Sequence, residues 1–440
     1  MSELFVQNLI ERNKLTEDKK SKSARQSTKR GFVQIATGTM AGQVVTFIAL
    51  PVLSRLYDPT QFGLLTVAMS ISAMLLPWSL LGVDQAIVQA RDDKEVTRLT
   101  VIAVTGQIVV SIALFGILII TPGSINSDES LRIFLAVSLP LLLITNGVSA
   151  LLQQYAIRQG KYGSLGSRNS IISISITLFQ LLLSFTVGIA WVNGLIVGAF
   201  LGNLVGVLVM ISYARPYFQR VSIKDARRTL QEFWRFPLVF APMVSLAQLS
   251  QQFPALFVAY WFSISDSGQL GMAERVAAAP ASILGLAGAS VFVGEFSLGV
   301  RQGENEVAPI YSKFSKVLVP IAVLVALGFA VLSPLIIPKF LGAEWILAAQ
   351  IMQISALAVG TRILSTSFKR AFTVLNQAKL LSIIEISKAV LLLLFGLVAM
   401  VLDMPLLLSI AMLYAVLGVG DLLLWCLGFL IAKRHDENLK

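Results

Sequence analysis

The sequence predicts an all-α polytopic membrane protein. Of its 440 residues, 56% are hydrophobic and only 13% are charged, and the mean hydropathy is +0.78. Soluble domains carry about 25% charged residues, so this chain has too few polar side chains to cover a soluble fold of its size. The charged residues also cluster in short segments between long apolar stretches. This alternation is typical of a chain that crosses a bilayer repeatedly.

Twelve apolar stretches are long enough to cross the membrane as helices, for which about 20 residues are needed. Several of them contain proline, which transmembrane helices tolerate where neighbouring helices or a wet cavity satisfy the freed backbone groups. The predicted spans are 31–53, 62–90, 99–120, 131–157, 164–190, 192–213, 237–262, 269–296, 314–338, 343–368, 376–401 and 405–432.

The residue inventory argues against catalytic and metal sites. The chain contains one cysteine, Cys426, and one histidine, His435. Zinc sites, Cys-His nucleophiles and Ser-His-Asp triads are therefore not expected. The sequence has no GxxxxGK[ST] loop, so ATP hydrolysis through a P-loop is not expected either. We predict a protein that is not an enzyme, with no catalytic residue, metal or cofactor.

The positive charges predict the orientation in the membrane. With both termini in the cytoplasm, the inner segments hold 30 of the 35 Lys and Arg residues, and the outer segments hold three, Arg55, Arg132 and Lys339. This asymmetry follows the positive-inside rule, so the net charge of +11 marks topology and no nucleic-acid partner is expected. Residues 1–30 then form a basic cytoplasmic tail, because the first apolar stretch begins too late for a cleavable signal peptide.

A short motif occurs twice. Residues 58–63 and 266–271 both read D-x-x-Q-[FL]-G, and the same offset of 208 carries Gln43 of the first span onto Gln251 of the seventh. Internal repeats are a feature of transporters. We therefore predict two six-helix lobes related by a pseudo-twofold axis along the membrane normal, which indicates alternating access. The lobes cover 31–213 and 237–432, with a cytoplasmic linker at 214–236 and a cytoplasmic tail at 433–440.

Four stretches carry a family resemblance. Residues 51–63 read PVLSRLYDPTQFG, residues 82–93 read GVDQAIVQARDD, residues 273–276 read AERV and residues 291–296 read VFVGEF. They resemble the junction after the first helix, the end of the second helix and the eighth helix of bacterial oligosaccharide-lipid flippases. These proteins form the polysaccharide-transport branch of the multidrug/oligosaccharidyl-lipid/polysaccharide exporter superfamily. Asp58 departs from the family pattern, in which Ser or Thr is usual.

The resemblance implies a function and a location. Family members move undecaprenyl-pyrophosphate-linked oligosaccharide from the cytoplasmic to the periplasmic leaflet of the bacterial inner membrane. The sugar units supply surface polysaccharide such as the O-antigen of lipopolysaccharide, capsule or exopolysaccharide. The resemblance also implies a cavity between the lobes that is lined by helices 1, 2, 7 and 8. Membrane lipid and polysaccharide polymerase or assembly proteins are the implied partners.

Polar residues inside the spans are candidates for substrate binding. Gln43 and Gln251 either bind sugar hydroxyls or form hydrogen bonds between helices. Arg275 either holds the pyrophosphate through its bidentate guanidinium or snorkels to the nearby surface, and Glu274 lies beside it in the sequence.

Two further candidates lie near the ends of the first two spans. Arg55 stands at the outer mouth, where it either contacts substrate or anchors the first helix at the interface. Asp84 lies near the inner end of the second span, where it is expected to pair with a neighbour in its lobe. A carboxylate at this place would repel phosphate.

The deepest charges are Lys388 of the eleventh span and Asp421 of the twelfth. Both fall at a similar depth, and sequential antiparallel helices are usually neighbours, so we expect the two side chains to meet. Glu385 is one turn from Lys388 on the same helix face. The group is either a structural ion pair or a protonatable site that couples transport to an ion gradient.

Two other functions remain open at this stage. A multidrug or organic-cation antiporter of the same superfamily would share the fold, but that role usually requires an acidic residue in the cavity part of the first helix, which has none here. A non-transporting membrane partner of a polysaccharide assembly complex is the third reading. The residues leave the transported glycan, the coupling ion and the oligomeric state open.

Overall fold

The computed structural model describes residues 34, 37–120, 129–188, 192–217, 221–302 and 307–439. Within these ranges the regular structure is helical throughout, without any β-strand. The predicted all-α class is therefore confirmed. The basic tail predicted at 1–30 lies outside the described residues.

Thirteen α-helices make up the described part of the chain, with short 3-10 or π segments at several of their ends. Their bounds are α1 Thr37–Leu56, α2 Pro59–Ser79, α3 Asp93–Ile120, α4 Glu129–Arg158, α5 Tyr162–Leu182, α6 Gly194–Met210, α7 Ile223–Glu232, α8 Ala241–Trp261, α9 Ile264–Gln302, α10 Val307–Leu341, α11 Ile346–Val374, α12 Ala378–Val401 and α13 Leu406–Leu439.

Ten helices in the described ranges are long and apolar enough to cross a membrane: α1 to α6 and α10 to α13. Helices α8 and α9 are also long enough to cross a membrane, with 21 and 39 residues. Three glutamines lie on α8, and α9 carries a Glu-Arg pair in its first half. The chain is thus a multi-pass membrane protein by its helices.

Two predicted boundaries need correction. The second span ends at Ser79, and a turn at Leu81 and Gly82, both with positive φ, leads into the 3-10 helix Val83–Gln89. Asp84 therefore lies beyond the second helix and not inside it. The last helix continues through the predicted tail to Leu439. There the Asp436 carboxylate accepts hydrogen bonds from the backbone N–H groups of Val307 and Ala308 (3.2 and 2.8 Å) and caps α10.

The repeated motif lies at the start of α2 and within the first turns of α9. At the start of α2 the Asp58 side chain accepts from the backbone N–H of Gln61, and the Gln61 side chain accepts from the backbone N–H of Asp58, which makes a capping box. Near the start of α9, Gln269 donates to the Glu344 carbonyl (2.6 Å) and accepts from the Ala348 N–H (3.0 Å). The second copy of the motif therefore ties α9 to the start of α11.

The N- and C-terminal halves meet where these motifs lie. A Cβ added at Gly63 would overlap the Ile264 carbonyl oxygen, and one added at Gly268 would overlap the Pro59 carbonyl oxygen. Helices α2 and α9 thus cross with their backbones in contact, an approach that only glycine permits.

The α1 and α11 ends extend this contact between the halves. Trp345, fully buried, donates from its indole N–H to the Ser54 carbonyl at 3.1 Å. Its ring also packs edge-to-face on Phe62, with the two centroids 5.2 Å apart. These contacts and the close crossing of α2 and α9 hold the two halves together, so the molecule is closed at this end.

Substitution of Gly63 by Ala should destabilise the folded protein. The added methyl group meets a backbone carbonyl, which cannot rotate away, and overpacking of this kind costs about 1–3 kcal/mol. The matched control is Gly116→Ala in α3, where the added Cβ has no neighbour within 4 Å. Thermal unfolding of the purified proteins should show a lower midpoint for Gly63→Ala and an unchanged or higher midpoint for Gly116→Ala. Equal midpoints would contradict the backbone crossing.

Candidate functional site

A cavity of about 640 Å³ lies inside the C-terminal half, between α8, α11, α12 and α13. Its wall combines charged, amide and hydroxyl side chains. Thr366 and Arg370 of this wall are exposed, so the cavity reaches the protein surface. The lining residues are Val244, Ala247, Gln248, Gln251, Arg362, Ser365, Thr366, Lys369, Arg370, Leu381, Glu385 and Asp421.

Helix periodicity explains why these residues share one wall. On α11 the polar positions 362, 365, 366, 369 and 370 recur at intervals of three and four, which places them on one face. On α8 the lining positions 244, 247, 248 and 251 also share one face, and its polar members are Gln248 and Gln251. The opposite side of α11 is apolar, and Ile363, Leu364 and Phe368 are buried in the core. Each helix thus turns its polar stripe toward the cavity.

A chain of ion pairs crosses the cavity wall. Lys388 Nζ lies 2.9 Å from Asp421 Oδ1 and 3.4 Å from Glu385 Oε2, and Glu385 Oε1 lies 2.6 Å from Lys369 Nζ. The side chains of Lys388 and Asp421 are only 3% and 6% exposed. The structure therefore brings the two deepest charges of the sequence together, with Glu385 beside them.

Arg362 is held by a neutral partner. Its Nη2 donates to Gln251 Oε1 at 2.6 Å, and in the part of the chain that the structure describes no carboxylate forms an ion pair with this guanidinium. Three cations (Arg362, Lys369 and Arg370) and two carboxylates (Glu385 and Asp421) line the cavity, and a fourth cation, Lys388, is buried behind the two carboxylates. With all six groups ionised, the cluster carries an excess of two positive charges. Such a wall favours an anionic ligand that can accept from a fixed guanidinium.

Arg275 and Glu274 lie apart from the lining of this cavity, nearer the start of α9. The Arg275 guanidinium stacks over the Phe62 ring at 5.2 Å and so contacts the N-terminal half. Its Nη1 is buried and has no hydrogen-bond partner among the residues that the structure describes. Glu274 accepts a hydrogen bond from the Tyr414 hydroxyl at 2.7 Å. Arg275 therefore contacts α2, and Glu274 contacts α13.

The remaining candidates are scattered. Gln43 is half-buried on α1, Arg55 is exposed at the end of that helix, and Gln251 is the sequence candidate that joins the charged cavity. Asp84 is buried in the 3-10 helix after α2, where burial raises the pKa of its carboxyl and hydrogen bonds from Gln85 and Gln154 oppose that rise. The structure therefore gathers Gln251, Glu385, Lys388 and Asp421, and leaves Gln43, Arg55 and Asp84 outside that group.

Sequence reasoning missed the contribution of α11 to the site. It assigned Arg362, Lys369 and Arg370 to the inner topology signal, although Arg362 falls within the predicted span 343–368. The signal that could have identified them is their helical spacing with Ser365 and Thr366, which is unusual for a basic segment that only marks a membrane boundary.

The helical fold is similar to the folds of solved membrane transporters. One similar solved structure is the lipid II flippase MurJ in an inward closed conformation, with a TM-score of 0.62 and 12% identity over 94% of this chain and 90% of that one. An inward-facing multidrug resistance MATE family transporter of the MOP superfamily has a TM-score of 0.59 and 14% identity over 92% and 95% of the two chains. A MOP superfamily transporter from Pyrococcus furiosus gives 0.54 and 15% over 93% and 96%.

The family follows from the sequence itself. The profile of the family described as polysaccharide biosynthesis protein matches residues 52–350, which is more than half of the chain. The protein therefore belongs to this polysaccharide biosynthesis family and has the fold of MOP superfamily transporters, which confirms the resemblance found in the sequence. No curated protein matches the chain.

Removal of one partner of the Lys388–Asp421 pair should lower the yield of folded protein. A buried charge that loses its partner costs about 3–5 kcal/mol, so Lys388→Ala and Asp421→Ala should both reduce the monodisperse fraction after detergent extraction. The double variant Lys388→Met/Asp421→Leu should recover it, since no charge is left unpaired and Glu385 keeps Lys369.

The matched control for this experiment is Lys433→Ala. That lysine forms an exposed pair with Glu437 on the same α13, at 4.0 Å and with both side chains about 60% exposed. Its loss should leave the folded fraction unchanged. Single variants of Lys388 and Asp421 that extract like the wild type would show that the pair contributes nothing to folding.

Proposed function

We propose that the protein is an alternating-access flippase for undecaprenyl-pyrophosphate-linked oligosaccharide. It carries this substrate from the cytoplasmic to the periplasmic leaflet of the bacterial inner membrane, for synthesis of O-antigen, capsule or exopolysaccharide. Membership of the polysaccharide biosynthesis family and the transporter fold support this proposal. The proposal includes twelve spans in two pseudo-symmetric six-helix lobes, 31–213 and 237–432, with both termini and the linker 214–236 in the cytoplasm.

The excess positive charge of the cavity carries the proposal. In the proposed orientation α8 and α12 begin on the cytoplasmic side and α11 ends there, so the cavity opens toward the leaflet from which substrate is taken. A pyrophosphate that joins a lipid to a sugar has one ionised oxygen on each phosphorus and is a dianion. Its charge would balance the excess of four cations over two carboxylates, and the Arg362 guanidinium can contact two of its oxygens at once.

The other sequence candidates keep proposed roles along the path of the substrate. Arg275, with its unpaired buried Nη1, is proposed to receive the phosphate as it moves toward the far side of the membrane. Glu274, Gln43 and Gln251 are proposed to contact sugar hydroxyls. Arg55 and Asp84 are proposed to act at the two ends of the path.

The Lys388–Asp421 pair has two proposed roles, structural or coupling. In the double variant Lys388→Met/Asp421→Leu, normal transport would assign the pair to folding. An abundant protein that fails to transport would assign it to the transport cycle. Glu385 links this pair to Lys369 at the cavity wall. Protonation of either carboxylate would therefore change the charge of the wall that contacts the substrate.

An organic-cation antiporter is the second candidate from the sequence. The same charge balance argues against it, because a cavity with excess positive charge repels a cation. A non-transporting partner of a polysaccharide assembly complex would not require a charged cavity inside its membrane helices, where ionisable groups are costly and usually functional.

The transport test uses the purified protein in vesicles that contain undecaprenyl-pyrophosphate-linked oligosaccharide. Arg362→Ala should slow flipping roughly tenfold or more, since a charge-assisted hydrogen bond is worth about 1.5–3 kcal/mol. Arg362→Lys should retain part of the rate, because it restores the charge without the planar fork. Arg275→Ala should also slow flipping.

The control for flipping is Lys313→Ala, which removes an exposed lysine paired with Glu295 outside the cavity. In cells that lack the protein, each variant can be scored at equal abundance by surface glycan and by accumulation of the lipid-linked intermediate. Wild-type flipping by Arg362→Ala, with normal surface glycan, would contradict the assigned role of the cavity.

Reporter fusions test the proposed topology. Fusions after residues 126, 266 and 342 should report an outside location, and those after 95, 225 and 305 an inside location, because the positive charges cluster on the second set of segments. A single clear reversal would rule out the six-plus-six arrangement together with the parallel lobes.

A further inference from the structure

A second cavity lies on the surface of the helix bundle and shares no lining residue with the charged cavity. It is a groove of about 460 Å³ between the C-terminal ends of α1 and α10. One helix belongs to the N-terminal half and the other to the C-terminal half. The groove is lined by Pro51, Val52, Arg55, Leu56, Lys339 and Phe340.

The lining combines two cations with exposed apolar side chains. Val52, Leu56 and Phe340 are 51%, 39% and 56% exposed, which is expected of side chains that face acyl chains. Arg55 and Lys339 are both exposed within the last turn or two of their helices. Helix ends of membrane spans lie at the level of the lipid headgroups, so the two cations lie at the depth of lipid phosphates.

These cations are exceptional in the charge pattern of the chain. In the proposed orientation only Arg55, Arg132 and Lys339 lie outside, and two of these three line the same groove. The six lining residues include no carboxylate that could neutralise them. The positive-inside rule makes cations rare on the outer side. Two of them in one groove therefore indicate a binding site for an anion.

The groove lies directly beside contacts that join the two halves. The Ser54 hydroxyl donates to the Leu341 carbonyl at 2.9 Å, and the Trp345 indole N–H donates to the Ser54 carbonyl at 3.1 Å. Ser54 precedes Arg55, and Leu341 follows Phe340. A molecule held by both Arg55 and Lys339 would therefore bridge the halves at the point where they already meet.

We propose that this groove binds the phosphate of an anionic membrane phospholipid between Arg55 and Lys339. The acyl chains lie along Val52, Leu56 and Phe340. The bound lipid stabilises the contact between the ends of α1 and α10, and with it the state in which this end of the molecule is closed. The proposal does not depend on which substrate the protein transports.

Native mass spectrometry of the full-length protein, released from detergent with added lipid, tests the proposal. Phosphatidylglycerol should be retained in preference to phosphatidylcholine. Arg55→Gln and Lys339→Gln should each lower that retention about fivefold, the effect of one cation near a lipid headgroup, and the double variant should abolish the preference. The matched control is Arg132→Gln, which removes the outer cation that lies outside the groove and should change nothing.

Charge-retaining variants separate the lipid site from a general loss of structure. Arg55→Lys and Lys339→Arg should keep the preference for phosphatidylglycerol, and added phosphatidylglycerol should raise the thermal midpoint of the wild type but not of the double Gln variant. Equal retention of both lipids by the wild type would overturn the proposal. So would a preference that survives the double variant, or dependence on Arg55 and Lys339 for undecaprenyl pyrophosphate but not for phosphatidylglycerol.

Discussion

The structure depends on how charge is placed inside an apolar helix bundle. An ionised group that leaves water loses several kcal/mol of solvation and needs a partner or a ligand. In this protein Lys388 and Asp421 satisfy each other, and Glu385 is shared between Lys388 and Lys369. Arg362 is oriented by the neutral amide of Gln251, and no carboxylate of the described residues forms an ion pair with it. The cavity therefore carries an excess of positive charge, and we infer that the anionic substrate neutralises this charge.

Sequence reasoning worked best where a strong physical rule acts on few residues. The membrane class followed from composition, and the meeting of Lys388 and Asp421 followed from matching depths on consecutive helices. The duplicated D-x-x-Q-[FL]-G motif predicted two related six-helix lobes, which stays a prediction. In the structure both copies lie at the crossing of α2 and α9, where Gly63 and Gly268 permit backbone contact. Capping and close approach are local requirements, so short motifs reveal them.

The cavity was harder to predict because it combines side chains of four helices, and α8 is distant in sequence from α11, α12 and α13. A basic residue near a span end obeys the positive-inside rule whether it faces water or the bundle interior. Arg362 and Lys369 were therefore read as topology markers, and only the arrangement of α8, α11, α12 and α13 around the cavity shows which way they face. The end of the second helix was misjudged for a similar reason. Residues 83–89 are apolar enough to continue a helix, but the positive φ angles at Leu81 and Gly82 turn the chain.

The most direct test of the account measures binding of undecaprenyl pyrophosphate to the purified protein, with undecaprenol as the neutral comparison. The two ligands share the lipid chain and differ in the charged headgroup. The account predicts clearly tighter binding of the pyrophosphate, a preference that weakens as salt is raised and a loss of that preference in the double variant Arg362→Gln/Lys369→Gln. Equal affinity for the two ligands, or a preference unchanged in the double variant, would contradict the claim that the charged cavity holds the headgroup.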